Sequence, residues 1–217
     1  KLAEDYSIYL VLIAATLLLI YRLDKPFIGH HDWNGAFWGN IARNYLAGGD
    51  FIYFAHYTPL LPLLLAAAAL VFGFSEASLR LVPVLFATLM LFFIYKIARL
   101  LYGKWVGILA PILATATPMF LYFGKLPDHE PIVTSLITAS FYFFLKAAKH
   151  GRNVKKFYLV YALALIESWA SFFLIPTLVL LRLLFKIPRR FSLAPVFVTA
   201  FLVIVIHLAA SFYFNGP

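Results

Sequence analysis

The chain has 217 residues, of which 64% are hydrophobic and only 12% charged, with a mean hydropathy of +0.90. Water-soluble domains are about 45–50% apolar and about 25% charged, so a single core in water is excluded and lipid is the solvent for much of the surface. The formal net charge of +9 does not point to nucleic acid, because Lys and Arg sit in short segments between apolar runs, as cytoplasmic anchors do.

Cysteine is absent, which excludes disulfides and thiolate chemistry. Phe and Tyr, at 23 and 13 residues, suit lipid-facing and interfacial positions. The expected class is an all-α integral membrane protein, one module over 1–217. The start at Lys1 and the end at Asn215-Gly216-Pro217 read as those of a trimmed piece without a C-terminal domain.

Taken in order, apolar runs cover about 7–23, 58–73, 79–101, 104–123, 130–148, 156–187 and 191–213. The first lacks a small-residue cleavage site and reads as an anchor. A crossing needs ~20 residues at ~1.5 Å rise to traverse ~30 Å. The 156–187 run is too long for one helix, and Glu167-Ser168 with Pro176 divides it into a hairpin. The 58–73 run is short, at roughly 24 Å.

Basic residues concentrate at Lys96, Arg99 and Lys104; at Lys146, Lys149, Arg152, Lys155 and Lys156; and at Arg182, Lys186, Arg189 and Arg190. All three clusters share a side with Lys1 only if 58–73 is re-entrant or interfacial rather than spanning. Seven crossings result, at about 7–23, 79–101, 104–123, 130–148, 156–169, 171–187 and 191–213. The same parity puts the long segment 24–57 and the short segment 124–130 together on the outer side.

Nearly all residues capable of chemistry lie in those two loops. In the first, Trp33, Phe37, Trp38, Ile41 and Tyr45 recur at helical spacing, which predicts an interfacial amphipathic helix. Asp32 is then its N-cap, and capping alone is one account of that acid, with His30 and His31 facing water. In the second, Asp128, His129 and Glu130 open the helix over 130–148. One acid there suits the helix dipole, but two acids around a His exceed what capping needs, and acids at membrane depth are often functional.

His56 and Tyr57 close the first loop and can donate to a phosphate. Pro59 suits the first turn of the next helix. Arg43 and Arg80 are fixed cations near the same face, where a guanidinium fork matches phosphate; the alternative for each is an interfacial anchor. Imidazoles and carboxylates among His30, His31, Asp32, His56, Asp128, His129 and Glu130 suit a divalent metal, a possible cofactor, although no pair has the H-E-x-x-H spacing. Glu167 marks the hairpin tip, where it either lines the site or turns the chain. No Rossmann fingerprint, phosphate-binding Gly loop or G-x-S-x-G occurs.

Several stretches together resemble one family. Ile41-Ala42-Arg43-Asn44 is similar to the helix after its first acidic motif. The segment from Tyr53 to Thr58-Pro59-Leu60 resembles its juxtamembrane segment. Phe72-Gly73-Phe74-Ser75-Glu76-Ala77-Ser78-Leu79-Arg80-Leu81 is similar to the entry to its second spanning helix, and Phe123-Gly124-Lys125-Leu126 followed by Glu130 to its second acidic loop. The likeness, in order over essentially the whole chain, is to the GT-C superfamily of membrane glycosyltransferases, in the branch of protein O-mannosyltransferases and aminoarabinose transferases.

That resemblance implies an inverting transfer from a polyprenyl-phosphate sugar to an acceptor hydroxyl. Asp32 takes the place of the catalytic base and Glu130 that of the second-loop acid. Arg43, His56, Tyr57 and Arg80 stand as donor-phosphate residues, and His31, Asp128 and His129 as acceptor-side or secondary residues. Two departures stand out: the family's first acid lies nearer the Ala-Arg pair, and Tyr57 stands near the place of a phosphate-binding Lys. The implied setting is a prokaryotic cell membrane with the site on the non-cytoplasmic side, and the implied partners are the lipid-linked sugar and membrane lipid, without nucleic acid. The competing classes are a transporter or flippase for lipid-linked precursors, disfavoured by the lack of an internal repeat, and a non-catalytic membrane subunit.

Overall fold

The structure is a computed structural model that describes residues 6–29, 31–49, 58–151, 153–184 and 192–215. Among the described residues, all regular structure is helical: α1 (Ser7–Ile20), α2 (Asp32–Leu46), α3 (Leu60–Phe72), α4 (Glu76–Tyr102), α5 (Lys104–Thr115), α6 (Pro118–Phe123), α7 (His129–His150), α8 (Val154–Glu167), α9 (Leu174–Leu184) and α10 (Ala194–Asn215). A 3-10 turn at Trp169–Phe173 joins α8 to α9. By length and composition α4, α7 over His129–Lys149 and α10 over Ala194–Phe214 can cross a membrane. The protein is an all-α integral membrane protein.

Helices α4 and α7 are the frame. They lie side by side and run the same way. At one end, Arg80 of α4 reaches Asp32 and the Asp128 cap of α7 binds Asn34, both partners belonging to the start of α2. At the other, Lys149 of α7 donates to the carbonyl of Leu100 in α4 at 3.4 Å. Lys96, Arg99, Lys104 and Lys146 belong to that second end. Apolar packing then builds outward on both sides. Ala15 and Leu19 of α1 pack on Val84, Ala87 and Leu91 of α4. Phe144 and Ala147 of α7 pack on Phe157, Tyr161 and Leu165 of α8, with α9 and α10 beyond. In lipid such contacts are held by close van der Waals fit rather than by expulsion of water.

The third cluster positions the site. Trp38, Ile41 and Ala42 of α2 and Leu61, Leu65 and Ala66 of α3 pack against Leu79 and Val82 of α4 and Ile132 of α7. The helical periodicity expected from Trp33 onward is thereby met, with Trp38 and Ile41 inward and Trp33 exposed. Helix α3 has 13 residues, about 20 Å, short of the ~30 Å hydrocarbon core.

Two expected elements differ. The 104–123 run is not one helix: it breaks after Thr115, and Thr117 caps α6 by accepting from the Phe120 N–H at 3.3 Å, with Pro118 in the first turn. A proline preceded by a good cap starts a new helix more readily than it extends an old one. The hairpin in 156–187 breaks at Ser168 as expected, whereas Pro176 sits in the first turn of α9, where its missing N–H costs nothing.

Gly124 lets α6 close onto α1 and α4. A Cβ there would lie 2.6 Å from the Phe120 carbonyl, 3.0 Å from Leu19 and 3.2 Å from Ala87. We expect Gly124→Val to cost about 2 kcal/mol through overpacking, read as a lower thermal unfolding midpoint of the detergent-solubilised protein.

Candidate active site

Three segments meet at the shared end of α4 and α7: residues 27–34 leading into α2, the first turns of α4, and residues 122–130 leading into α7. Arg80 ties the first two. It is 5% exposed, where an unpaired charge would cost several kcal/mol, and it has partners on every side. Nη1 donates to the carbonyls of Leu23, at 3.1 Å, and Lys25. Nη2 lies 3.6 Å from Asp32 Oδ1. The guanidinium sits over the Phe27 ring, 4.4 Å from its centroid.

Asp32 is the first residue of α2 and His31 occupies the cap position, without a side-chain capping bond. The expectation that Asp32 is the N-cap is therefore corrected. Its carboxylate turns back instead of forward: Oδ2 accepts from the Gly29 N–H at 2.7 Å while Oδ1 faces Arg80. A Cβ at Gly29 would sit 2.7 Å from Oδ2, so this fold-back needs glycine. The helix dipole still favours the anion at this end.

In the second loop the two acids divide. Asp128 is buried and caps α7, Oδ1 accepting from the His129 N–H at 2.9 Å and Oδ2 from the Asn34 amide. It is both a cap and a bolt between α2 and α7. Glu130, beside Asp128, is exposed. Thus the capping account fits Asp128, while Glu130 is the acid that solvent or a ligand can reach.

His31 is half-buried; its N–H donates to the Tyr122 hydroxyl at 3.1 Å and its ring lies 5.5 Å from that of Phe123. His129 turns into the bundle at 1% exposure, its Nδ1 2.7 Å from Glu167 Oε1. Arg43 stands apart: exposed, over Phe74, and about 16 Å along α2 from Asp32. It neighbours a cavity of about 360 Å3 walled by Phe27, Asn40, Phe74 and Glu76. His30, His56 and Tyr57 lie outside the described residues. Among the described residues no group of three or more His, Asp and Glu is gathered as metal ligands would be.

One residue escaped the sequence reading. Lys125, half-buried, donates to the carbonyl of Tyr21 at 3.1 Å and stands among Arg22, Arg80 and Asp32. Burial lowers its pKa from the usual 10.5, Arg80 and Arg22 lower it further, and Asp32 pulls the other way. Its only signal in the sequence was its place in Phe123-Gly124-Lys125-Leu126. The result is a cationic corner around one carboxylate, at the end of the frame where α7 starts with its own acids.

The chain is similar in fold to the crystal structure of ArnT from Cupriavidus metallidurans in the apo state, with a TM-score of 0.74 and 17% identity. The match covers 97% of this chain and 43% of that one, so this chain spans less than half of that protein's length. No curated protein matches it. Taken with a family match over residues 56–214, this fold puts the chain among the GT-C membrane glycosyltransferases. Residues 56–214 match the family model described as dolichyl-phosphate-mannose-protein mannosyltransferase, and the chain belongs to that family.

We expect Arg80→Met to cost about 3 kcal/mol, because it strands the Asp32 carboxylate and two loop carbonyls. Arg80→Lys is expected to recover only part of that, since an ammonium cannot serve the same fork and stack. Denaturant unfolding in detergent micelles measures both.

Proposed function

We propose that the protein is an inverting glycosyltransferase that moves a sugar from a polyprenyl-phosphate donor to an acceptor hydroxyl, at the non-cytoplasmic face of a prokaryotic cell membrane. The observation that carries this reading is the meeting of Asp32, Arg80 and Lys125 at the end of the α4–α7 frame where Glu130 opens α7, opposite its basic end. The family membership supports the same class of chemistry.

In this mechanism Asp32 accepts the proton of the acceptor hydroxyl as that oxygen bonds to the anomeric carbon. The bond from that carbon to the phosphate oxygen breaks on the opposite face, and its electron pair leaves with the lipid phosphate. A carboxylate suffices as base because the leaving group is good. Gly29 and Arg80 hold Asp32 in one orientation, which is the positioning term. Lys125, with Arg22 near it, offsets charge growing on the departing phosphate. Glu130 orients the acceptor or the sugar. Arg43, His56 and Tyr57 remain donor-side residues in this reading, and His31, Asp128 and His129 support from the acceptor side. Asp32 and Arg80 therefore work as a unit, the cation setting where the base points.

Membranes carrying the protein, given a radiolabelled polyprenyl-phosphate sugar, are expected to move label to acceptor. Asp32→Asn is expected to abolish that transfer while the protein still elutes as a folded species. Wild-type turnover by Asp32→Asn would remove that residue from the mechanism, and label that crosses the membrane without changing carrier would favour a flippase. The lowered Lys125 pKa gives a further expectation. Its charge is lost at lower pH than that of an ordinary lysine, so the donor KM rises on the alkaline side below 10.5. Lys125→Arg is expected to push that rise upward, as read from KM against pH.

A further inference from the structure

The first residue of α7 and the last of α8 meet inside the bundle. His129 Nδ1 lies 2.7 Å from Glu167 Oε1, and the two side chains are 1% and 0% exposed. Glu167 Oε2 has no partner among the described residues. Burying such a pair is seldom a route to stability, since hydrophobic side chains of similar volume do as well or better. What the pair touches gives it a use. The His129 ring meets Trp38 of α2 edge-on, with centroids 4.6 Å apart. Asp128, the residue before His129, accepts from Asn34 of the same helix.

The backbone around Glu167 is built to hold it. Helix α8 stops there because Ser168 is extended, at φ −159° and ψ 146°. The 3-10 turn that follows is pinned back onto α8: Ser171 Oγ donates to the Ala164 carbonyl at 2.6 Å, and the Tyr161 hydroxyl donates to the Ser171 carbonyl at 3.0 Å. The hairpin tip is thus a fixed post and not a loose turn.

We propose that Glu167 is a positioning residue for the transferase reaction. Through its bridge to Nδ1 it locks the His129 ring against Trp38, and so sets α2, which carries Asp32, relative to α7, which carries Glu130. The inference rests on the glycosyltransferase reading. Its reach extends past the two loops, because a residue on the α8–α9 hairpin then governs the geometry of a site it does not touch.

Three variants of the membrane-embedded protein and one spectroscopic signature test this. In the 15N-histidine-labelled wild type, a strongly downfield proton bridged between Nδ1 and the carboxylate is expected, and Glu167→Met is expected to lose it. Per folded molecule, Glu167→Met is expected to lower kcat about 10- to 100-fold, as misplacement of about 1 Å does, with donor KM changed less than about twofold. Glu167→Gln, which keeps an acceptor at the same reach, is expected to restore most of kcat. Trp38→Leu leaves the buried pair intact but cuts its link to α2, and is expected to reproduce the loss; it also serves where Glu167→Met does not fold. Absence of the bridged proton in the wild type would overturn the proposal. So would wild-type kcat in folded Glu167→Met or Trp38→Leu, or a loss that vanishes when rates are referred to folded protein, and in those cases the wild type's own transfer leaves the functional reading standing. No transfer by the wild type would remove that reading and this inference with it.

Discussion

A guanidinium at the edge of a helical bundle in lipid needs a full set of partners, and the arrangement of Arg80 answers that need. Two carbonyls of the loop after α1, the Asp32 carboxylate and the face of Phe27 surround it. Each partner belongs to the stretch that leads into α2, so satisfying one charge fixes the course of the loop and the start of the next helix. Asp32 owes its orientation to this, with the Gly29 N–H taking the other oxygen. Without the cation, an acid at the first position of a helix would point toward the free backbone N–H groups ahead of it.

The second loop repeats this logic with different atoms. Asp128 is spent on structure, capping α7 and holding Asn34, which leaves Glu130 open. Two neighbouring acids therefore serve different ends, one joining the helices and one facing outward. Because Asn34 is on the first turn of α2, the bond also fixes the distance between the loops. The apolar packing of Trp38, Ile41 and Ile132 beneath them makes that distance rigid.

Much of this is legible in the amino-acid sequence. Apolar runs and their interruptions mark the helices because a membrane crossing has a length and a composition, and the break at Glu167-Ser168 follows from a polar pair in an apolar run. The residues of both loops were legible too, since polar groups are scarce in this chain. Three features were not. Asp32 at the helix start reads as a cap by local rules, and only the approach of Arg80, 48 residues later, turns its carboxylate back. Lys125 resembles any interfacial lysine until Arg80, Arg22 and Asp32 are seen around it. The pairing of His129 with Glu167 joins residues 38 apart, a contact set by how α7 and α8 lie together, which no periodicity encodes. All three are tertiary contacts between groups whose local sequence already has an adequate explanation.

The same contacts bear on how the chain is oriented. A count of basic residues treats Arg80 as a positive charge at the end of α4 that holds the site, which weakens the asymmetry between the two ends. In the folded bundle that charge is paired with Asp32 and buried, so it is not a free anchor in the headgroup region. Lys96, Arg99, Lys104, Lys146 and Lys149 at the opposite end are not buried in this way. Arg22 and Lys25 stay exposed and Lys125 half-buried at the loop end, so burying Arg80 lowers the charge there by one without emptying it. The ion pair that orients Asp32 thus also takes one positive charge out of the headgroup region at the end of the frame where the loops meet.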